Sequence, residues 1–233
     1  MGSLLRTVIR ARGYPLTRRL DRDAHRPDVA QRAFLLKMLK ANAGTVFGKI
    51  HRFVNIRTEA DYRRQVPIQD YEGFRPYVNR LINGEQAVLT AAAPSMLNMT
   101  SGTTGEPKYI PVTRESLHHG SSFSLQWIYR ALRDHPRFLD HAFVGIVSRA
   151  IEGQTPSGLP FGSASGMLYQ RIPRPIRSAY AIPYLVSEIR DYDRRYSVVA
   201  RLALEKRVSY IGTPNPSTLI RLAETAMKDA EAI

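Results

Sequence analysis

From about residue 87 onward, short apolar runs alternate with amphipathic stretches of ten or more residues. That alternation narrows the folds open to this chain more than any other feature. "AVLT" and "SMLNMT" flank "AAAP"; "KYIPV", "AFVGIVS" and "VSYIGT" follow at intervals, each short and largely apolar, with "AFVGIVS" rich in β-branched residues. Between them lie helical patterns. One is "RESLHHGSSFSLQWIYRALRD", with Thr113 before it as a cap; another runs from about Asp193 through "YSVVARLALEK". The last is "PSTLIRLAETAMKDAEAI", with Asn215 as N-cap and Pro216 at the first helical position. Strands alternating with helices of this length predict an α/β fold with a largely parallel β-sheet and flanking helices.

The residues before 87 read as helical. Asp28 with Gln31 three residues on has the form of a capping box, and Phe34, Leu35, Met38 and Leu39 then recur at helical spacing up to a stop at Gly44. Thr58 opens "TEADYRRQV", which Pro67 ends, and "PYVNRLI" has Pro76 for its first turn and Gly84 beyond its end. Residues 154–166 are rich in Gly, Ser and Pro and predict a long loop or lid.

Charge is unevenly placed. The net charge is +14, and the first forty residues hold ten Lys/Arg against three Asp/Glu. Residues 1–27 therefore read as a basic arm that packs poorly, and residues 28–233 as the folded domain. Asp21 and Asp23 argue against a transit peptide, and Arg6 occupies the position where a myristoylation signal wants Ser or Thr. Apolar runs such as "AFVGIV" are too short to span a bilayer. The absence of cysteine excludes disulfides and thiolate metal sites and suits a reducing compartment, so a cytoplasmic location is the expectation.

One loop carries chemistry. Between the "SMLNMT" and "KYIPV" runs stands "TSGTTGEPK", residues 100–108. Gly102 and Gly105 let backbone N–H groups turn toward an anion, and Thr100, Ser101, Thr103 and Thr104 add hydroxyl donors. Lys108 closes the row with a compact cation. These are the parts of a phosphate cradle. The spacing is not that of the common P-loop, because the glycine that should precede the lysine is Pro107, and it is not the three-glycine dinucleotide fingerprint.

The nine residues resemble the phosphate loop of the adenylate-forming enzymes, Thr/Ser-Ser-Gly-Thr-Thr/Ser-Gly-x-Pro-Lys, at every fixed position. The surrounding order narrows the resemblance: "NAGTVFGKIHRF", "VPIQDYEGFRPYVNRLINGE" and "VLTAAAPSMLNMTSGTTG" upstream, "GLPFGSASG", "IRDYDRRY" and "IGTPNPSTLIRLAE" downstream. This order is similar to that of the auxin-responsive-promoter family, the acyl-acid amido synthetases, and in particular its bacterial members, over most of the chain from about Asp28. Plant members carry one more residue before the second glycine of the loop.

The resemblance implies a ligase that uses ATP with Mg²⁺ to adenylate a small-molecule carboxylic acid, then passes the acyl group to an amine such as an amino acid, with no nucleic-acid or membrane partner. It assigns Thr100, Ser101, Gly102, Thr103, Thr104, Gly105 and Lys108 to the nucleotide phosphates, with Lys108 as the catalytic cation and no metal-ligating residue. The family's adenine-binding segments and lysine-bearing C-terminal domain are not found between Lys108 and Ile233. With the uncapped last helix, this makes the sequence an expected N-terminal part of a longer protein, inactive alone. The rival readings are another adenylate-former, such as an aryl-acid CoA ligase, and a non-enzymatic basic module whose binding would weaken steeply with salt.

Other constellations carry less. The six histidines have no ligand spacing. "GSASG" at 162–166 has Ala164 where a hydrolase nucleophile would stand. The charge run 190–195 reads as the capped, solvated start of a helix, with a substrate-contacting role as the lesser alternative. Phe123 and Trp127 share a helix face that reads as core, or as the lining of an apolar acid pocket.

Overall fold

The computed structural model of the chain describes residues 2–100, 106–213, 215–228 and 230. In chain order the helices and strands are α1 (Gly2–Ala24), α2 (Pro27–Asn42), α3 (Val46–Ile50), α4 (Glu59–Gln65), α5 (Tyr71–Ile82), β1 (Met96–Thr100), β2 (Lys108–Val112), α6 (Arg114–Asp134), β3 (Ala142–Gly145), β4 (Gly153–Gln154), β5 (Pro160–Gly162), α7 (Ala164–Gln170), α8 (Arg174–Arg177), α9 (Tyr192–Leu204), β6 (Val208–Gly212) and α10 (Pro216–Lys228). The chain divides into two compact units. One comprises Leu16–His119 and Ile151–Gly162; the other comprises Met1–Pro15, Gly120–Ala150 and Ser163–Ile233.

The Leu16–His119 unit holds a four-stranded sheet in the order β2-β1-β5-β4. β1 pairs antiparallel with β2, from Met96 opposite Val112 to Thr100 opposite Lys108, and parallel with β5 through Leu97 and Asn98. β4 returns antiparallel to β5. The sheet is thus mixed where the sequence predicts a largely parallel one; the α/β class stands. The reason lies in the connections. Parallel neighbours need a long crossover, whereas β1–β2 and β4–β5 are joined by short loops that only antiparallel strands can close.

The second of these turns replaces the expected lid. Thr155 N–H donates to Leu159 O, the Leu159 N–H donates to Thr155 Oγ1, and Gly158 takes a φ of +82° at the tip. Residues 154–166 are therefore a hairpin arm followed by the start of α7. The expected strand "AVLT" is also absent, because Ala87 adopts a φ of +53° and breaks an extended path. The carbonyls of Ala87 and Val88 instead accept the free N–H groups of Val46 and Phe47 at the N-terminus of α3. Thr45, fully buried, caps the same turn by accepting from the Gly48 N–H at 2.9 Å. Phe47 is the hub of the ring cluster with His51, Phe53, Phe74 and Tyr77.

The other unit is built on the parallel pair β3–β6. Its core joins Val144 of β3 to Ala181 and Ile182, to Val186 of the 3-10 turn Tyr184–Glu188 ahead of α9, to Tyr196, Val199 and Ala200 of α9, and to Leu222 of α10. Asp191 caps α9 by accepting from the Arg194 N–H, and Asn215 caps α10 through the Ser217 N–H, so both helices start where short polar residues allow.

The arm expected to pack poorly is helical and docked. Within this unit Ile9 of α1 is buried, Arg6 donates to Pro136 O and pairs with Asp140, and Tyr14 meets Tyr129 edge-on at 6.4 Å. Gly13 permits the approach, since a Cβ there would lie 2.5 Å from the Cβ of Tyr129. Among the described residues no helix is long and apolar enough to cross a membrane.

Candidate functional site

Thr100 is the last residue of β1 and Lys108 the first of β2, and the two are register partners. The hydroxyl–glycine row therefore leaves and re-enters the sheet at adjacent strand ends. Ser101, Gly102, Thr103, Thr104 and Gly105 lie outside the described residues.

Around the outgoing end, the first turn of α5 supplies the neighbours. Asp70 starts that turn by accepting from the Gly73 N–H. The helix begins at Tyr71, five residues before the Pro76 start that the sequence suggests, because this cap is made first and Pro76 costs it only one internal N–H. Tyr71 then faces β2. Its hydroxyl donates to Tyr109 O at 3.1 Å and accepts from the Tyr109 N–H at 2.7 Å. β2 is an edge strand, so one hydroxyl satisfies the two backbone groups that Tyr109 turns away from β1.

Lys108 is half-buried, a strand residue rather than a free loop lysine, with its Nζ 5.7 Å from the centre of the Tyr71 ring. Arg75 grips Glu72 with two hydrogen bonds of 2.6 and 2.8 Å and reaches Glu106 at 3.1 Å. Hydrogen bonding from Arg75, and after it the positive charges of Arg75 and Lys108, hold the Glu72 carboxyl below its usual range. The same carboxylate raises Arg75 further above its already high value. Lys108 has no hydrogen bond or ion pair among the described residues. Among the described residues the result is a cation near a carboxylate that an arginine has already taken.

A second candidate lies wholly within the unit built on β3 and β6. A cavity of about 350 Å³ opens beyond the carboxyl ends of these parallel strands, where Ile146, Ser148 and Thr213 follow them. Ligands of open α/β sheets bind at this end. Tyr192, Arg195 and Tyr196 of α9 and Arg221 of α10 complete the lining. The Arg195 guanidinium sits 4.2 Å from the Tyr192 ring centre, and Arg221 lies 5.1 Å from that of Tyr196 while pairing with Asp193 at 2.7 Å. Two guanidinium groups over aromatic rings, with hydroxyls from Ser148, Ser165 and Thr213, can take the carboxylate of an otherwise apolar acid. The charge run 190–195 thus serves both as helix start and as cavity wall. Arg221 gives no sequence signal, since it is one arginine in an ordinary amphipathic pattern.

Trp127 does not line this cavity, nor is its face core: Phe123 is 68% and Trp127 46% exposed. Trp127 meets Phe138 and Tyr210 edge-on at 5.7 and 5.6 Å. Among the described residues no group of three or more His, Asp or Glu side chains is placed to hold a metal ion.

Comparison with known proteins identifies relatives of the chain. Residues 16–233 match the model of the GH3 family N-terminal domain. The chain is 37% identical over 97 residues to the indole-3-acetic acid-amido synthetase GH3.15 of Arabidopsis thaliana, covering 40% of this chain and 16% of that protein. It is 30% identical over 181 residues to the probable indole-3-acetic acid-amido synthetase GH3.7 of Oryza sativa subsp. japonica, covering 67% of this chain and 27% of that one. The jasmonoyl–L-amino acid synthetase JAR4 of Nicotiana attenuata matches at 24% identity over 60% of this chain and 24% of its own length. The solved structure of GH3.15 acyl acid amido synthetase superposes with a TM-score of 0.73 at 22% identity, over 87% of this chain and 36% of that one, a likeness of fold. The chain spans well under half the length of these relatives. With the family model matched from residue 16 to residue 233, this chain belongs to the GH3 family.

Proposed function

We propose that the chain supplies the phosphate- and acid-handling part of an ATP-dependent amido synthetase, which adenylates a carboxylic acid and transfers the acyl group to an amine such as an amino acid. The observation that carries this reading is the pairing at adjacent strand ends of Thr100 with Lys108, the first and last residues of the phosphate-loop pattern. Family membership supports it, and so do the names of relatives that conjugate acyl acids with amino acids. A GH3.15 structure in complex with 2,4-DB is consistent with a carboxylic acid as the substrate class.

In the first half-reaction a carboxylate oxygen bonds to the α-phosphorus of ATP, and the bond from that phosphorus to the bridging oxygen of pyrophosphate breaks. In the second the amine nitrogen bonds to the acyl carbon, AMP leaves with the acyl oxygen's electron pair, and the amine loses a proton. Phosphoryl chemistry of this kind needs positioning and charge neutralisation more than covalent help. Lys108 and the hydroxyls and N–H groups of residues 100–105 would hold the β- and γ-phosphates as charge develops on the leaving group. Mg²⁺, when bound, would neutralise phosphate charge, carried mainly by the phosphates since no carboxylate cluster awaits it among the described residues. The cavity beyond β3 and β6, lined by Arg195 and Arg221, is by itself a candidate for holding the acid's carboxylate.

The test is ATP–pyrophosphate exchange by the protein as its gene encodes it, against a panel of carboxylic acids, followed by product analysis with amino acids or CoA as acceptor. Acid-dependent exchange and an amide product are expected. Exchange without any acid dependence overturns adenylation, and a thioester in place of the amide moves the chain to CoA ligation.

A further inference from the structure

Lys108 presents a problem of presentation. A lysine side chain has four rotatable carbons and a strongly hydrated head, so a charge that must meet a phosphate at a fixed point needs something to hold it. Two carboxylates could compete for it: Glu72, close enough to feel the Lys108 charge, and Glu106, two residues earlier in the chain. Arg75 removes that competition by occupying both, at 2.6 and 2.8 Å to Glu72 and 3.1 Å to Glu106. The Tyr71 ring lies 5.7 Å from the Lys108 ammonium and 5.1 Å from the Arg75 guanidinium, an aromatic group that attracts both cations without neutralising either. The same tyrosine ties down the backbone one residue further along the strand, through both polar groups of Tyr109.

We propose that Tyr71 is a positioning residue for Lys108: its hydroxyl pins the free edge of β2 at Tyr109 and its ring shelves the lysine, so that the cation is presented unpaired at the strand end. The proposal rests on the reading of Lys108 as a phosphate contact. Glu106 occupies the unspecified place in the loop pattern, so the Arg75–Glu106 bridge is not a requirement of that pattern.

A double-mutant cycle separates this from a structural role. ATP–pyrophosphate exchange would be measured for the unaltered protein, Tyr71→Leu, Lys108→Ala and the double variant. If Tyr71 acts through the lysine, Tyr71→Leu lowers kcat/KM for ATP by about tenfold when Lys108 is present, and by less than about twofold when it is absent. The KM for the acid stays unchanged. Equal losses in both backgrounds would make Tyr71 a merely structural residue and overturn the proposal. Unaltered exchange in Lys108→Ala would instead overturn the phosphate reading of the lysine, whatever Tyr71 does. Should Tyr71→Leu fold poorly, Tyr71→Phe, which keeps the ring and loses the pin, takes its place in the cycle. A readout free of ATP completes the test. The ε-methylene protons of Lys108 should resonate upfield through the Tyr71 ring current and return to ordinary positions in Tyr71→Leu; unshifted protons in the unaltered chain would sink the shelf.

Discussion

Lys108 carries its charge at the end of a strand, half-buried and with no carboxylate of its own among the described residues. Such a cation contributes little to folding. A contact with a ring face is worth about 0.5–1 kcal/mol at an exposed site. Its value in the proposed chemistry is larger, because one charge-assisted contact made as charge develops is worth on the order of a hundredfold in rate. Lys108→Ala should therefore slow ATP–pyrophosphate exchange by about two orders of magnitude, with thermal unfolding displaced by only a few degrees. Full exchange with intact folding would make it an ordinary lysine. Gly166 has the opposite balance. It sits in α7, where an added Cβ would meet Ser148 O at 2.3 Å and the Ala150 N at 2.5 Å, both backbone atoms that cannot swing aside. Gly166→Ala should cost roughly 1–3 kcal/mol or more, the range for forced overpacking, and lower the melting temperature by several degrees. An unchanged melting temperature would mean that this contact is loose.

At the scale of elements, caps and apolar runs were readable and long-range docking was not. Thr58 forms the capping box with Asp61, Thr113 accepts from the Ser116 N–H, and Asn215 accepts from the Ser217 N–H, all at helix starts visible in the sequence. The strands at Met96, Lys108, Ala142 and Val208 lie on the short apolar runs of the sequence, the last three of them rich in β-branched and aromatic residues. Asp28 misled, because α2 starts at Pro27 after Arg26, which makes no side-chain cap. "AVLT" misled because its carbonyls are spent on the N-terminus of α3, a partner forty residues away that no local pattern reveals. Helix α1 is the sharpest case. Its apolar residues show no sustained period, yet Ile9 is 5% exposed while Leu4 is 74% exposed. Docking of this helix predicts a contrast: Ile9→Ala should cost about 2–5 kcal/mol by thermal or denaturant unfolding, and Leu4→Ala within about 0.5 kcal/mol of nothing. Equal, small effects at both positions would restore the loose arm.

Over the whole molecule, the α/β class was legible but the pairing of strands was not, because β1 meets β5 across some sixty residues and no local signal sets that register. The two candidate sites divide in the same way. The proposed phosphate loop is a contiguous pattern and can be read directly, whereas Tyr71 and Arg75 in one unit, and separately Arg221 in the other, become visible only once the helices are in place. The aromatic residues of the β3–β6 unit show a further consequence of such assembly. Tyr210 stacks on Phe143 and Phe138, Phe143 meets Tyr180 at 3.8 Å, and Tyr180 meets Tyr169 at 4.7 Å. Burial pushes the Tyr210 hydroxyl up from about 10 to about 12, and burial likewise raises Tyr180 and Tyr169. A phenol whose folded pKa lies above its unfolded value binds its proton more tightly in the native state. Its contribution is fully present below pH 10 and is lost as pH rises from about 10 through 12. After allowance for solvent screening at the partly open ring, Tyr210 should account for on the order of 1–2 kcal/mol of that loss. Stability to denaturant should thus be nearly level between pH 7 and 9 as far as these groups are concerned, then fall steeply above pH 10. Tyr210→Phe keeps the stack and removes the titrating hydroxyl, so its stability should fall less over the same interval. Identical alkaline slopes for the two proteins would show that the Tyr210 phenol is solvated and that the stack is open to water.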